Sequence, residues 1–493
     1  MKSSSFLLIL LLATTMVMMQ PLVGSTTQPA EPISPTSTQS YSTHAAISIN
    51  GNADFASQAT ANDWDAAGTR DGSAALPFVI AGYNITVSDT ISVIIRNTNL
   101  HFEFVNNLLD GRSGSIVGLQ LQNVTNGDAH DNIIRNFDNS AIFIPNSKNL
   151  EIANNTVSNS TQGIISSISL QLNVTKNTIS DSLINGIDLF ATNHSLITYN
   201  TITNSSQSGI DLTQSINTTL SYNQISKQQY GIYLNTADSN LLAFNQVSMS
   251  TKVGINILFQ SNKNTILNNT VTNTQGQGIS IHAFATNTYA QANQILNNSV
   301  SSSISDNIQI YNGRNTIIQG NYLYTSTNDG ILLSATSNST VTANKIINSD
   351  DFGVDLDYAS ANNSIYRNIF VGNNQNGFAQ ATDTGTANSF QYNYWNGWTA
   401  PDRNHDGIVD KPYQISTSPV NQSDPYPLVS RSQMNAVYNP YFPPENTTAT
   451  TPTNIAPPKI STPSPRLPVS ITPLFLTFVM LVSYRKYMTK LHH

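Results

Sequence analysis

The chain has 493 residues, of which 10% are charged, with a formal net charge of −7 and no cysteine. The acidic balance argues against a nucleic-acid partner, because there is no basic field to hold phosphates. Without cysteine the chain has neither disulfides nor thiolate metal sites, and its shortage of Glu and Lys disfavours solvent-facing helices. Abundant Asn, Ser and Thr between Ile, Leu and Val favour short strands and polar turns.

The first 25 residues have the features of a secretory signal. A basic start, Met1–Lys2, precedes the apolar run Phe6–Ala13 and the small residues Gly24–Ser25. An uncleaved membrane anchor is the alternative. Residues 26–43 are rich in Pro, Ser and Thr and are predicted to lack structure. We therefore expect the body of the chain to be exported.

Residues 101–396 are a repeat. A column of Gly, then Ile or Val, one variable residue and an apolar residue recurs, as in Gly186–Leu189 and Gly209–Leu212, with Asn307 where the Gly is missing. Gly and Asn both tolerate positive φ, so this column is predicted to lie at a left-handed corner. In phase with it, an Asn followed two positions later by an apolar residue recurs every 22 to 29 residues: Asn132, Asn155, Asn177, Asn200, Asn223, Asn245, Asn269, Asn298, Asn321, Asn344, Asn368 and Asn393.

Each period holds three short apolar stretches separated by corners. One period cannot bury its apolar face alone, whereas stacked periods can, with backbones pairing between coils about 4.8 Å apart. The repeat therefore predicts an all-β parallel β-helix of about 12 coils, in which the Asn column forms an internal amide ladder. A leucine-rich repeat has an overlapping period, but it requires Leu-rich spacing and a helical segment, and neither is visible.

The variable residue of each Gly-Ile-x-Leu unit should point outward, because strand residues alternate sides. This position holds Asp188 and Asp211 on successive coils, about 5 Å apart, and paired carboxylates at that separation can hydrolyse glycosides with retention. Tyr230 and Tyr233, with Asp355 further along, would instead give a polar face on which sugar rings stack. Solvated Asp residues on a strand face are the plainer interpretation of the pair.

Motifs on both sides of the repeat resemble a known family. They are Pro77–Tyr83 before the coils, and Asn393–Trp395, Asp402–Asp410 and Asp424–Leu428 after them. With the repeat, they resemble the right-handed parallel β-helix proteins, and more closely the NosD-like group of carbohydrate-binding and sugar-hydrolase β-helices, over roughly Ile47 to Leu428. The tail is similar to the end module of archaeal cell-surface members. The resemblance implies a right-handed, single-stranded β-helix.

Both ends of a coil stack need caps, because an open end exposes strand edges and apolar core. Residues 44–100 are predicted to form the N-terminal cap and the first coils, and residues 397–431 the C-terminal cap. Aromatic residues suited to these caps are Trp64 and Phe78 at the first, and Trp395 and Trp398 at the second.

The C-terminal cap contains a candidate calcium loop. Its acidic and amide residues match the first part of an EF-hand-type loop, with Gly407 at the sixth position. Position 12 is Tyr413 rather than the bidentate Glu, so the site is incomplete or is completed by another acid such as Asp424. An ordinary turn is the alternative. The expected ligands are the side chains of Asp402, Asn404, Asp406 and Asp410 and the carbonyl of Ile408.

The end of the chain is predicted to be a membrane anchor. Residues 432–466 read as a Pro/Thr-rich linker, and Leu467–Tyr484 is a run of 18 residues without a charge. Arg485 and Lys486 follow at once, which predicts a single spanning helix, an extracellular body and a cytoplasmic tail over residues 485–493.

Three functions remain open at this stage. The first is a surface-anchored protein that binds extracellular carbohydrate without catalysis, the second a polysaccharide hydrolase or lyase, and the third a structural or adhesion protein that binds another surface protein. The resemblance also suggests copper, but Met outside the signal, anchor and tail occurs only at Met249 and Met434. The histidines are scattered, so copper is not expected: His44, His101, His130, His194, His282 and His405.

Overall fold

The repeats form a parallel β-helix in the computed structural model, which describes residues 40–434 apart from 88–89, 113, 285–287, 376, 378 and 417–419. Each coil contributes three strands, and each strand pairs in parallel with its equivalent one coil later. The predicted all-β parallel β-helix is confirmed, with about 13 turns rather than 12.

The parallel strands of the described chain form three long sheets, here called sheets A, B and C. Sheet A has 15 strands: Ser42–Thr43, Tyr83–Ile85, Leu108–Asp110, Ile133–Arg135, Thr156–Ser158, Thr178–Ser180, Thr201–Thr203, Gln224–Ser226, Gln246–Ser248, Thr270–Thr274, Ser299–Ser303, Tyr322–Ser326, Lys345–Ser349, Ile369–Val371 and Tyr394–Trp395. Sheet B has 14 strands: Ile47–Asn50, Ile91–Thr98, Val117–Val124, Ser140–Pro145, Gln162–Ser167, Ile187–Phe190, Ser208–Thr213, Tyr230–Asn235, Val253–Leu258, Ile279–His282, Ile308–Tyr311, Ile331–Ser334, Val354–Leu356 and Ala381–Asp383. Sheet C has 14 strands: Phe78–Ala81, Phe102–Val105, Gly127–His130, Glu151–Ala153, Asn173–Thr175, Leu196–Thr198, Thr219–Ser221, Leu241–Ala243, Thr265–Leu267, Gln294–Leu296, Ile317–Gln319, Thr340–Thr342, Ser364–Tyr366 and Ser389–Gln391.

Four further strands form two small sheets. Ala290–Gln291 pairs in parallel with Gly313–Arg314, beside sheet C. Tyr413–Ser416 pairs antiparallel with Gln422–Asp424 and lies after the last coil. The described helices are short: Asn52–Ala61 is α-helical, and Arg431–Met434 is a 3-10 turn.

Alternate residues of every strand fill the interior, as the strand period requires. In sheet B, Ile187 and Leu189 are fully buried, while Asp188 between them is half-buried on the outer side. Burying one such Ile or Leu contributes about 1.5–3 kcal/mol relative to exposure. Because the coils stack, these contributions form one continuous core behind the outward side chains of sheet B.

The predicted Asn ladder is confirmed and begins one coil earlier, at Asn107. At each step the backbone N–H and Nδ2 of one Asn both donate to Oδ1 of the Asn in the next coil. For Asn200 and Asn223 both distances are 3.0 Å. Nδ2 also donates to a carbonyl of the preceding coil, such as that of Val174, at 2.9 Å from Asn200. The ladder residues are buried, and between the two ends of the ladder their amides are satisfied by one another and by the backbone.

The predicted left-handed corner at the Gly column is wrong. Gly186 has φ outside the left-handed region, and so has Asn307. The reason for Gly is space: a Cβ on Gly186 would lie 2.5 Å from Cγ2 of Ile202 and 2.8 Å from the carbonyl oxygen of Gly209. Left-handed corners do occur, but at the residue before each ladder Asn, as at Tyr199 with φ 57°.

A helix closes the first coils, which the sequence analysis did not predict. Asn52–Ala61 turns Phe55 and Ala59 inward, and both are fully buried. The ring of Phe55 contacts those of Phe78 and Phe102, with centroids 5.2 and 5.4 Å away. The helix thus covers apolar core that an open coil would expose.

Trp395 forms the centre of the opposite cap, as predicted. It is fully buried and its ring stacks on Phe370 and on Tyr413, each with centroids 4.2 Å apart. Trp398 packs edge-on against Tyr413 at 5.7 Å. Oδ2 of Asp424 accepts from the last ladder residue and from Nε1 of Trp395 at 3.1 Å, so the acid ends the ladder.

The predicted signal peptide and the predicted anchor, Leu467–Tyr484, lie outside the described residues. Among residues 40–434 as described, no helix is long and apolar enough to cross a membrane.

Candidate functional site

The outward face of sheet B presents a continuous column of side chains, one from each coil. Cα register pairs place each member beside the next. Polar and aromatic residues dominate, although the same strands turn Ile and Leu inward. Four earlier strands carry Ser48, Ile94, Gln120 and Phe143 at this position. We call the part that follows them the sheet B column; in chain order it comprises Ile165, Asp188, Asp211, Tyr233, Asn256, Ser280, Gln309, Leu332, Asp355 and Thr382.

Asp188 and Asp211 are direct neighbours in the column, on adjacent coils. Nδ2 of Asn185 donates a hydrogen bond to Oδ2 of Asp188 at 3.1 Å. The hydroxyl of Thr213 donates to Oδ1 of Asp211 at 2.9 Å. The two carboxyls are half-buried and form a partly enclosed pair, unlike the solvated Asp residues of the plainer interpretation.

Burial raises the pKa of both carboxyls above the usual Asp range, and the charge of Asp188 raises that of Asp211 further. The hydrogen bond from Asn185 acts in the opposite direction on Asp188. Two neighbouring carboxylates repel each other, which favours a state in which the pair holds a proton. Such a pair can offer a carboxylic acid as donor beside a carboxylate as acceptor.

Two tyrosines follow the acidic pair along the same face. Tyr233 is the next column member after Asp211, and its ring centroid lies 5.3 Å from that of Tyr230. Burial, and then the charge of Asp211, raises the pKa of the Tyr233 phenol, which keeps its O–H as a donor. Nζ of Lys252 lies 5.3 Å from the centroid of the Tyr230 ring. The arrangement combines aromatic faces with hydroxyl and carboxyl groups.

Asp355 shares the column but not the site. Five coil steps separate it from Tyr233, about 24 Å at the spacing of neighbouring strands. The structure brings together Asp188, Asp211, Tyr230 and Tyr233, and leaves Asp355 at the other end of the face.

Asp355 instead belongs to a second acidic cluster that sequence reasoning missed. Asp306 and Asp329 are 2% and 7% exposed, and the N–H of Asp329 donates to Oδ1 of Asp306 at 3.1 Å. Burial, with the charges of Asp355 and Asp306, raises the pKa of Asp329 to about 8. Burial, with the charges of Asp357 and Asp306, raises that of Asp355 to about 6. Asp329 is therefore largely protonated near neutral pH and can donate a hydrogen bond beside the other carboxyls of the cluster.

A signal for these acids was present in the repeat. Asp306 and Asp329 directly precede the Gly-column residues Asn307 and Gly330 and are one period apart. Only the coil register brings them beside Asp355, because the residue before the Gly column was not expected to border the outward face.

We expect Asp211→Asn to stabilise the protein at pH 8. The folded-state pKa of Asp211 is raised, so ionisation opposes folding as pH rises above the unfolded value of about 3.9. The amide removes that charge, and its oxygen can still accept from Thr213. Thermal melts at pH 4 and pH 8 should show the gain only at the higher pH. The exposed Asp138→Asn is the matched control, and an equal gain from both variants would contradict the assignment.

The candidate calcium ligands lie on one exposed turn: Asp402, Asn404, Asp406, Ile408 and Asp410. Gly407 has φ 84°, as the sharp turn requires. Its N–H donates to Oδ2 of Asp402 at 3.2 Å, whereas Oδ1 of Asp402 is buried and has no hydrogen-bond partner. Asp424 lies at the end of the Asn ladder, so it is already committed to other donors. In the described part of the chain, no three His, Cys, Asp or Glu side chains are arranged to hold a metal ion.

Comparison with known proteins identifies two families and a set of similar structures. The family described as periplasmic copper-binding protein (NosD) matches residues 102–291, and the right handed beta helix region matches residues 286–394. No curated protein matches the sequence significantly.

Several solved structures are similar to this chain. The A-module of mannuronan C-5 epimerase AlgE4 from Azotobacter vinelandii is 13% identical, with a TM-score of 0.44, over 70% of this chain and 96% of the other. A double mutant of the periplasmic alginate epimerase AlgG is 12% identical, with a TM-score of 0.49, over 59% and 84%. DFA-IIIase from Arthrobacter chlorophenolicus A6 is 9% identical, with a TM-score of 0.37, over 59% and 89%.

The described residues do not fit the copper that the first family description implies. Imidazole and thioether groups would have to converge on the metal, but the three histidines of the matched region lie on different coils. Nδ1 of His130 lies 2.7 Å from Oδ2 of Asp131. The ring of His282 stacks on Phe284 at 3.8 Å, and burial lowers its pKa to about 4. Met249 stands exposed at a corner of another coil.

Proposed function

Because the chain is a NosD-like right-handed parallel β-helix protein, we propose that it is an exported protein whose sheet B face binds extracellular carbohydrate. The observation that carries the proposal is the sheet B column, in which Asp188, Asp211 and Tyr233 are consecutive and Tyr230 flanks them. Carboxyl, amide and hydroxyl groups suit the hydroxyls of a sugar, and the tyrosine faces suit its apolar ring surface.

The column is also suited to a linear ligand. From Asp188 to Asp355 it runs for seven coil steps, about 34 Å at the usual strand spacing. Between the acidic ends lie Asn256, Ser280 and Gln309, which are neutral donors and acceptors. A chain of sugars along the β-helix axis would meet a polar or aromatic group on each of these coils except that of Leu332.

We expect Tyr233→Ala to weaken binding to the best ligand of a glycan panel by roughly 2- to 12-fold, since aromatic contacts contribute about 0.5–1.5 kcal/mol beyond area. Affinity is measured by calorimetry on the full-length chain. The control is Tyr199→Ala, which removes a more exposed tyrosine at a corner away from sheet B. Equal losses in both variants, or none in Tyr233→Ala, would remove the tyrosine from the site. If no glycan of the panel binds, the alternative of an adhesion protein is favoured.

A second function, cleavage of the bound polysaccharide, is favoured by the raised pKa of the Asp188/Asp211 pair. One protonated carboxyl can serve as general acid, while its ionised neighbour serves as base or nucleophile. In that mechanism either Asp→Asn change abolishes the release of reducing ends without preventing binding. An active double variant excludes the pair from catalysis.

Calcium binding by the C-terminal loop is a further part of the proposal. The unpartnered Oδ1 of Asp402 and the carboxylates of Asp406 and Asp410 are oxygen ligands of the kind calcium prefers. With Tyr413 in place of the bidentate Glu, we expect weak affinity, on the order of 10⁻⁴–10⁻³ M.

Millimolar calcium should therefore raise the melting temperature of the protein, since a ligand at a hundredfold excess over Kd stabilises by about 2.7 kcal/mol. Asp406→Ala should abolish the rise, while the exposed Asp138→Asn should preserve it. A melting curve independent of calcium, with no heat of binding, would leave the loop as a plain turn.

The proposed location is the cell surface, with Leu467–Tyr484 as a single-pass anchor. Protease added to intact cells should release the body of the protein, and a stop codon after Arg466 should make it secreted. A full-length chain recovered free of membranes would overturn the anchor.

A further inference from the structure

The strands of sheet B that form the face carry acids and no cationic side chain, since the one histidine among them, His282, has its pKa lowered to about 4 by burial. From Gln162–Ser167 to Val354–Leu356 they contain Asp188, Asp211 and Asp355 and no Lys or Arg. Asp306 and Asp329 border the same face, two residues before strands Ile308–Tyr311 and Ile331–Ser334. Lys252 also borders it, and its ammonium lies over the ring of Tyr230 rather than against a carboxyl of the pair.

A polyanionic chain on this face would meet unfavourable charge at its acidic ends and no compensating cation between them. A uronate or sulfate group would be placed against half-buried carboxyls, with no guanidinium or ammonium in the strands to receive it. Like-charge juxtaposition of this kind is a usual way in which a binding surface rejects a competing ligand.

The carboxyls are also arranged as hydrogen-bonding groups rather than as a field of charge. Asn185 and Thr213 each donate to one oxygen of the Asp188/Asp211 pair, which leaves further oxygens to bond a ligand. The raised pKa of Asp329, about 8, reduces the negative charge at the other end of the face near neutral pH. A polycation would therefore gain less than the number of acids suggests, while hydroxyl and acetamido groups can bond carboxyls in either protonation state.

We infer that the ligand of the sheet B face is an uncharged glycan, built of hexose or N-acetylhexosamine units, and that uronate-containing and sulfated polysaccharides are excluded. The inference rests on the proposed function, because it names the class of carbohydrate for the same face. The acidic pair sets this selectivity, and Tyr230 and Tyr233 supply the stacking surface that an uncharged sugar requires.

The test measures binding of the full-length chain to four probes of similar length at pH 7 and low salt without divalent cations. They are a β-glucan and a chitin oligosaccharide as uncharged ligands, oligogalacturonate as polyanion and chitosan oligosaccharide as polycation. We expect at least tenfold tighter binding of an uncharged probe than of oligogalacturonate, with little change between 20 and 200 mM salt. Since surface charge interactions are screened by salt, a charge-driven ligand would lose affinity over that range.

The double variant Asp188→Asn/Asp211→Asn separates the possible outcomes. If the pair excludes anions, this variant gains binding to oligogalacturonate while Asp138→Asn does not. Tight binding of oligogalacturonate by the unmodified chain, or salt-sensitive preference for chitosan, overturns the inference but leaves carbohydrate binding standing. Failure to bind any of the four, or a wider glycan panel, overturns the proposed function and the inference with it.

Discussion

Replacing Asn223 by Ala should destabilise the protein by about 3–4 kcal/mol, because buried donors and acceptors in three coils lose partners at about 1–3 kcal/mol each. Oδ1 of Asn223 accepts both the N–H and Nδ2 of Asn200 at 3.0 Å. Its Nδ2 donates to Oδ1 of Asn245 at 2.9 Å and to the carbonyl of Ile197 at 2.8 Å. In the native chain bulk water does not reach these groups, since Asn223 is fully buried.

The loss of stability in Asn223→Ala should first be felt in the coils next to Asn223. Each coil contacts chiefly its neighbours, so a break in the middle of the stack weakens the coupling between its two halves. Thermal unfolding followed by circular dichroism should show a lower midpoint and a broader or split transition. Gln224→Ala is the control, because Gln224 directly follows Asn223 in the chain but is exposed, at the start of strand Gln224–Ser226. A change in midpoint no larger than that of the control would mean that the ladder contributes little to stability.

Asp424→Ala should have a comparable effect at the end of the stack, of about 4 kcal/mol, because three buried donors lose one acceptor at about 1–3 kcal/mol each. Every ladder Asn donates toward the C-terminal coil, so the last donors, the N–H and Nδ2 of Asn393, need an acceptor beyond them. Oδ2 of Asp424 accepts both, at 2.9 and 3.1 Å, together with Nε1 of Trp395 at 3.1 Å. Opening this end exposes the stacked rings of Trp395 and Tyr413.

Asp424→Asn tests the polarity of this arrangement. Its oxygen can keep the three bonds to the ladder and to Trp395, while its amide would face the N–H of Tyr426, which donates to Oδ1 of the native acid at 3.0 Å. We expect a loss of about 1 kcal/mol for that single bond. Tryptophan fluorescence and melting midpoint should rank the chains native, Asp424→Asn, Asp424→Ala. Equal behaviour of the two variants would show that the acceptor is not what the cap requires.

The sequence predicted the structure well at positions that recur once per coil and have the same environment in every coil. The Asn column, the inward Ile and Leu of sheet B and the outward position of Asp188 all follow from the strand period of two combined with the coil period. Asp188 and Asp211 could be predicted as neighbours because one period separates them. The sequence also indicated that Trp395 would close the last coil, since a large ring can cover an open end.

The Gly column shows where this reasoning stops. Tolerance of positive φ is a property of glycine itself and can be read from the sequence. The actual reason for glycine at position 186 is that Ile202 and the next coil's carbonyl leave no room for a Cβ, and this depends on how sheets A and B meet. The role of Asp424 was also out of reach. Asp424 lies in a loop after the repeats, and nothing in the sequence there indicates that it accepts hydrogen bonds from the last ladder residue.

By itself, the sequence determined the class of fold, the stacking of coils and the identity of the groups on the outward column, because these depend on periodicity, and periodicity is a property of one chain position relative to the next. Only the tertiary structure decided how deeply the acids of sheet B are buried, that Asp306 and Asp329 join Asp355, and that the ring of Tyr230 lies against that of Tyr233. Those facts depend on side chains from different coils and corners sharing one surface. Burial and neighbouring charge, which set the pKa of a carboxyl and what it can bind, exist only once the coils are stacked.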